Sequence, residues 1–227
     1  MTTQNTKNMN NYTDKINQDK LAAGDKARQK YSKLPKIIAS YSSLIKMDDF
    51  NKDICESSYI RTANILFDDR TEIQQVLRAV AIDKYRWLQG GDKVYSITID
   101  FGNGDHYILK FGGSRKKMSK RWGSYTAGRN STYRKNKKGE YYTGTQSETY
   151  SYIHDTIEDG LLRGYKFSIW VHNLPTKVCE ENVYGKKKIT IEVQRYHGWE
   201  ASIIELYKEV SGGKLPLLCD NAAPKYR

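Results

Sequence analysis

The chain has 227 residues, 38% of them hydrophobic, and carries a formal net charge of +12 with a pI of about 9.4. That composition supports one core with an appended segment, and no stretch approaches the roughly 18 consecutive apolar residues of a membrane-spanning helix. The cysteines at Cys55, Cys179 and Cys219 form no CxxC or Cys/His spacing. They speak against a disulfide framework or a structural zinc site and suit a reducing cytoplasm.

Residues 1–13 are polar and rich in Thr and Asn, the composition of a disordered tail. From 14 to 91 the pattern is helical. Asp14 to Ser32 is charged and Ala-containing; Pro35 interrupts it, and Ile37, Ile38, Tyr41, Leu44 and Ile45 mark a second, more buried helix. A third is expected over Thr71 to Leu88, with Thr71 and Gln74 as a capping pair and an apolar stripe at Ile73, Val76, Leu77, Val80 and Trp87.

Gly90-Gly91 ends that region, and residues 92–227 read differently. Tyr95, Ile97, Ile99 and Phe101 alternate with Ser96, Thr98 and Asp100, which predicts a strand. Asn103-Gly104 then predicts a two-residue hairpin loop and a return strand from His106 to Phe111. A helix is expected from Lys117 to about Tyr125, with Met118, Trp122 and Tyr125 on one face, and a long loop from Thr126 to Gly144. Thr145 and Glu148 open a helix whose Ile153, Ile157 and Leu161 point inward. Strands at Tyr165 to Val171 and Ile189 to Tyr196 and a helix from Trp199 to Val210 complete the chain. The order predicts an α+β fold: a small mixed or antiparallel sheet flanked by helices, with a helical N-terminal region.

The basic excess is concentrated. Arg115, Lys116, Lys117, Lys120, Arg121, Arg129, Arg134, Lys135, Lys137 and Lys138 lie between Ser114 and Gly139, a stretch with no Asp or Glu. Such a segment repels itself unless an anion lies against it, and Lys or Arg placed on phosphate gains by counterion release. Solubility alone is the other reading of a basic protein; the clustering favours a nucleic acid.

A two-residue loop at Asn103-Gly104 pairs Ile97 with Lys110 and Tyr95 with Gly112, making Tyr95 and Lys110 diagonal neighbours on one sheet face. An ammonium there favours the phenolate and lowers the phenol from its usual value of about 10, one way to make a general base. A half-exposed tyrosine beside a snorkelling lysine is the alternative. His106 shares that face at the hairpin tip and reads as surface. Arg121 is the basic residue of its helix best placed to face inward. Glu200 falls between Tyr207 and Ile204 in an apolar sector, with Glu205 and Glu209 on the polar side. A carboxylate there needs a cation, either a structural Arg or Lys or a divalent metal.

Lys93-Val94-Tyr95, a short hairpin, Lys110-Phe111-Gly112-Gly113-Ser114, Arg121 nine residues past Gly112 and an isolated Glu200 in a late helix resemble, in order and spacing, the GIY-YIG nucleases. The first motif reads KVY for GIY and the second KFG for YIG, with Lys110 where some branches, restriction enzymes included, accept lysine. Many members carry a histidine four residues after the arginine, where this chain has Tyr125; their late asparagine has a rough counterpart in Asn221.

The resemblance implies phosphodiester hydrolysis. Tyr95, helped by Lys110, deprotonates or orients water; Arg121 stabilises charge on the phosphate; Glu200 holds one Mg²⁺ or Mn²⁺ beside the leaving oxygen. Residues 92–227 then form a nuclease domain acting on duplex DNA, with 14–91 adding DNA contacts. The layout, nuclease last, favours a site-specific restriction enzyme of the type II kind over a homing or phage-encoded nuclease; a catalytically silent DNA-binding protein is the other class. A homodimer and a cognate methyltransferase are the partners this implies.

Overall fold

The computed structural model describes residues 31–53, 59–68, 76–132, 138, 148–183 and 187–219. In chain order its helices are α1 (Leu34–Ala39), α2 (Met47–Asp53), α3 (Lys84–Leu88), α4 (Met118–Thr132), α5 (Glu148–Leu162) and α6 (Tyr196–Val210). Its strands are β1 (Ile60–Phe67), β2 (Leu77–Ala81), β3 (Lys93–Asp100), β4 (Tyr107–Ser114), β5 (Lys166–Asn173), β6 (Lys177–Val183) and β7 (Lys187–Val193).

Five strands form one antiparallel sheet in the order β2-β1-β5-β3-β4, and β6 and β7 form a separate ribbon. The class is α+β, as the pattern predicts. β3 is buried at every position, so both of its faces are covered, not only the apolar one. On the first face Tyr95, Ile97 and Ile99 pack with Leu34 and Ile37 of α1, Met118, Trp122 and Tyr125 of α4, and Ile153 and Ile157 of α5. On the second, Val94, Phe111 and Trp170 pack with Met47 and Phe50 of α2 and Ile203, Ile204 and Tyr207 of α6. Thr98, a polar residue of that second face, is satisfied by the Trp170 indole N–H at 3.0 Å.

The N-terminal stretch is less helical than its pattern predicts. Pro35 opens α1, where its missing N–H costs nothing, and only Tyr31 and Ser32 of the helix expected over Asp14 to Ser32 lie within the described residues. Residues 60–67 form β1, a strand the sequence pattern leaves unassigned. In place of one helix over 71–88 stand β2 and the short α3; the capping pair Thr71 and Gln74 lies outside the described residues. Leu77, Ala79 and Ala81 pair with Phe67, Ile65 and Ala63 on the core face, a period of two. Val76, Leu77 and Val80 satisfy a helical period as well, and the tie is broken by β1, whose outer backbone groups need a partner. Asp83 then caps α3, its carboxylate accepting from the Arg86 N–H at 3.0 Å.

The hairpin keeps the expected register from Lys93↔Ser114 to Ile97↔Lys110 and slips by one at a bulge, so that Thr98 faces Ile108. The tip is therefore wider than a two-residue loop. Gly102 and Gly104 take φ of 106° and 83°, and the Asp100 carboxylate accepts from both of their N–H groups, at 2.7 and 3.0 Å. The slip also turns His106 onto Trp170, with ring centroids 5.3 Å apart, so it is half-buried and not a surface residue.

The outer edge of β4 is clasped twice by distant chain. Met47 N–H donates to the His106 carbonyl (2.7 Å), and the Ile108 N–H to Ile45 (2.9 Å). Leu218 N–H donates to Leu109 (2.8 Å), and the Phe111 N–H to Cys219 Sγ (3.4 Å). Past Phe111 that edge has no strand partner among the described residues.

Gly160 offers a test of the packing of α5 on the sheet. A Cβ there would meet the Phe167 ring, and Phe167 is 1% exposed. Alanine raises helix propensity by about 1 kcal/mol, whereas overpacking a core costs about 1–3 kcal/mol. Gly160→Ala is therefore expected to lower the urea midpoint at unchanged m-value, against the propensity trend.

Candidate active site

β3, β4 and α4 bring three of the expected residues together. The turn after β4 is tied by Ser114, whose Oγ accepts from the Lys116 N–H at 3.0 Å. It is tied again by Lys93, whose buried ammonium donates to the carbonyls of Gly91 (2.6 Å) and Lys116 (3.2 Å). α4 starts from that turn with Met118, Trp122 and Tyr125 turned into the core, and Arg121 follows them inward. The Arg121 guanidinium meets three phenols. Nε donates to Tyr95 Oη at 2.9 Å, Nη1 to Tyr150 Oη at 3.2 Å and Nη2 to Tyr125 Oη at 3.3 Å. Tyr95 and Tyr125 share a further hydrogen bond at 2.5 Å.

Tyr95 is buried, which removes the half-exposed alternative. Its ring and hydroxyl lie where a Cβ on Gly112 would stand, so only glycine lets the phenol lie across β4. Lys110 is on the same face by register and its charge acts on the phenol as expected, favouring the phenolate. The net shift has the opposite sign. Burial and the neighbouring Tyr125 push the Tyr95 phenol well above its ordinary value, outweighing Arg121 and Lys110 together. Burial likewise pushes Tyr125 up to about 12. Burial works against the Arg121 cation too, but the surrounding phenolic oxygens more than offset it, so the guanidinium stays charged.

Glu200 stands on the other side of β4. α6 begins at Tyr196, three residues before the expected start, and its entry is held by Asp92, whose carboxylate accepts from the Arg195 N–H at 2.5 Å. Ile203, Ile204 and Tyr207 are buried and Glu205 and Glu209 exposed, as the helical wheel predicts; Glu200 is half-buried. A Cβ on Gly113 would stand 2.8 Å from Glu200 Oε2 and 2.7 Å from the Tyr196 ring. Among the described residues the Glu200 carboxylate has no ion pair or hydrogen bond, so the structural salt bridge weighed from the sequence is not formed there. Tyr95 with Arg121 and Glu200 thus flank the Gly112-Gly113 pair from opposite faces, next to the stretch of β4 edge that has no strand partner.

The basic residues divide. Lys116, Lys117 and Lys120 are exposed around the turn into α4, while Arg115 pairs with Glu192 of β7 at 2.6 Å. α4 runs on to Thr132, so Arg129 sits on a helix and not in the expected loop. Lys138 is exposed; Arg134, Lys135, Lys137 and Asn221 lie outside the described residues. Tyr150 was not among the expected site residues. It lies three and seven residues before Ile153 and Ile157, on the inward stripe of α5, so a face analysis of that helix could have found it. One and two turns further on, His154, Asp155 and Glu158 form a second buried group, their ligand-type atoms within 4.8 Å of one another. No described helix is long and apolar enough to cross a membrane.

No family model matches the sequence. No curated protein matches it. Among solved structures, that of a mutant of bacteriophage T4 EndoII is similar, with a TM-score of 0.44 and 15% sequence identity. The alignment covers 72% of this chain and 96% of that one.

The buried phenols give a pH test. A tyrosine whose folded value lies above its unfolded value of about 10 stabilises the fold fully below that pH and loses its contribution as pH rises towards the folded value. Tyr59, Tyr95, Tyr125 and Tyr207 all shift upward, mainly by burial. The phenols' contribution to stability against urea should therefore be constant through neutral pH and be lost above about pH 10. In the folded protein the late-ionising phenols should appear by absorbance only near or after unfolding.

Proposed function

We propose that this chain is a divalent-metal-dependent endonuclease of the GIY-YIG kind that cuts duplex DNA at specific sites, as a restriction enzyme does. The observation that carries the reading is the grip of three phenols on Arg121, with Tyr95 one of them and Lys110 on the same face. A guanidinium held rigid and charged in a partly buried place is suited to stabilise charge growing on a phosphate. The β4 edge past Phe111, which has no strand partner among the described residues, lies beside it.

Tyr95 is the proposed base for the attacking water, with Lys110 and Arg121 favouring its anion against burial. Glu200 suits a hard cation, being a half-buried carboxylate with no partner among the described residues. It would hold Mg²⁺ or Mn²⁺ together with waters and substrate oxygens. Such an ion supplies charge stabilisation at the leaving oxygen. Lys116, Lys117, Lys120, Arg129 and Lys138, with Arg134, Lys135 and Lys137, are the proposed contacts to the DNA backbone. Cutting two strands with one site per chain is met by two copies acting together. A methyltransferase acting on the same sequence is the partner expected of such an enzyme.

Cleavage of supercoiled plasmid tests the reading. Wild-type protein should nick and linearise it in Mg²⁺ and stop on adding EDTA, and Glu200→Ala should abolish cutting while DNA affinity persists. Near-normal cutting by that variant would overturn the assignment.

The phenol's role is read from pH. Because the Tyr95 value lies above 10, each pH unit through the neutral range should raise the phenolate fraction, and with it the single-turnover rate, about tenfold. Tyr95→Phe should lose that slope together with about 10²–10⁴-fold in rate. A wild-type profile flat from pH 6 to 9 would remove Tyr95 as the base.

A further inference from the structure

We infer that Tyr150 is a positioning residue for the site: it orients the Arg121 guanidinium for the scissile phosphate and makes that orientation depend on the docking of α5. The phosphate role rests on the function proposed above; the grip on Arg121 does not.

Arginine has five N–H donors in a fixed planar fork. Three are occupied by the hydroxyls of Tyr95, Tyr125 and Tyr150, one on each nitrogen. One N–H therefore remains on each terminal nitrogen, and those two are what Arg121 can offer an anionic oxygen. Which way they point is set by the other three bonds. Tyr95 and Tyr125 come from β3 and α4, the elements that carry the rest of the constellation. They hold Nε and Nη2, which still lets the plane tilt about that side. Tyr150 comes from α5 and holds Nη1, the opposite corner. The Arg121 carbon lies 5.8, 4.9 and 5.9 Å from the ring centres of Tyr95, Tyr125 and Tyr150, so aromatic faces also surround the cation. Tyr150 packs edge-on against Tyr125 with centroids 4.9 Å apart, contact that survives loss of its hydroxyl.

Tyr150→Phe removes the hydrogen bond from Arg121 and keeps the ring. A bond to a charged group is worth about 10- to 100-fold, so single-turnover cleavage at saturating DNA should slow by that factor. DNA affinity should stay unchanged. In an Arg121→Ala background the same change should cost nothing further, since Tyr150 then has no guanidinium to hold. An unchanged rate, a loss confined to DNA affinity, or full additivity of the two substitutions would each overturn the proposal.

A second measurement needs no cleavage. In ¹⁵N-resolved NMR, assigned by loss of signal in Arg121→Lys, the terminal N–H groups of Arg121 should be separate and slowly rotating in the wild type. In Tyr150→Phe they should average. Averaged signals in the wild type, or unchanged hindered rotation in the variant, would overturn the positioning role. If the wild-type chain cuts no DNA with any divalent metal, the nuclease reading fails while this measurement still decides what Tyr150 does.

Discussion

Two adjacent glycines let side chains lie directly against the backbone at the end of β4. At Gly112 the Tyr95 phenol lies where a side chain would begin, and at Gly113 the Tyr196 ring and the Glu200 carboxylate do the same from the other face. A sheet normally keeps a full side chain between its backbone and the next layer. Here a ring from the neighbouring strand on one face and α6 side chains on the other lie directly against the backbone, at the end of an edge strand. The consequence is that groups from β3 and α6 converge on bare backbone, with Arg121 of α4 bonded to the Tyr95 phenol.

Charge at the site follows from that closeness. Pressing Tyr95 flat against β4 buries it, and burial decides its protonation against two nearby cations. Arg121 is kept charged inside the same cluster because its donors are satisfied by phenolic oxygens, which cost far less to bury than carboxylates. The cluster is therefore a cationic centre without a counter-carboxylate among the groups it is bonded to, set in a chain of net charge +12. That combination attracts anions and gives them no internal competitor at Arg121.

The hairpin, its register at Tyr95 and Lys110 and the inward turn of Arg121 were legible because each follows from side-chain periodicity over a few residues. The faces of α6 were legible for the same reason, although Glu200 came out half-buried. Other features were not. β2 carries apolar positions that satisfy both helical and strand periods, and only the presence of β1 decides between them. The bulge at Ile97 leaves no mark in composition. The sign of the Tyr95 shift depends on how many layers cover the phenol, a quantity no local pattern contains. Tyr150 is hidden for a simpler reason: a phenol on the apolar stripe of a helix reads as core.

The two clasps on β4 bear on how this chain keeps to itself. An unpaired strand edge is a template for another protein's backbone, and a long one invites aggregation. Segments near residues 46 and 218, far apart in sequence, take up most of the β4 edge and, among the described residues, leave mainly the glycine pair without a partner. Both clasps close long loops, so they belong with the late, slow contacts of folding. Until they close, a nascent or partly unfolded chain presents the whole of β4 to its neighbours. The segment carrying Leu218 and Cys219 therefore covers backbone groups of β4 that would otherwise stand open to another chain, apart from any chemistry at the site.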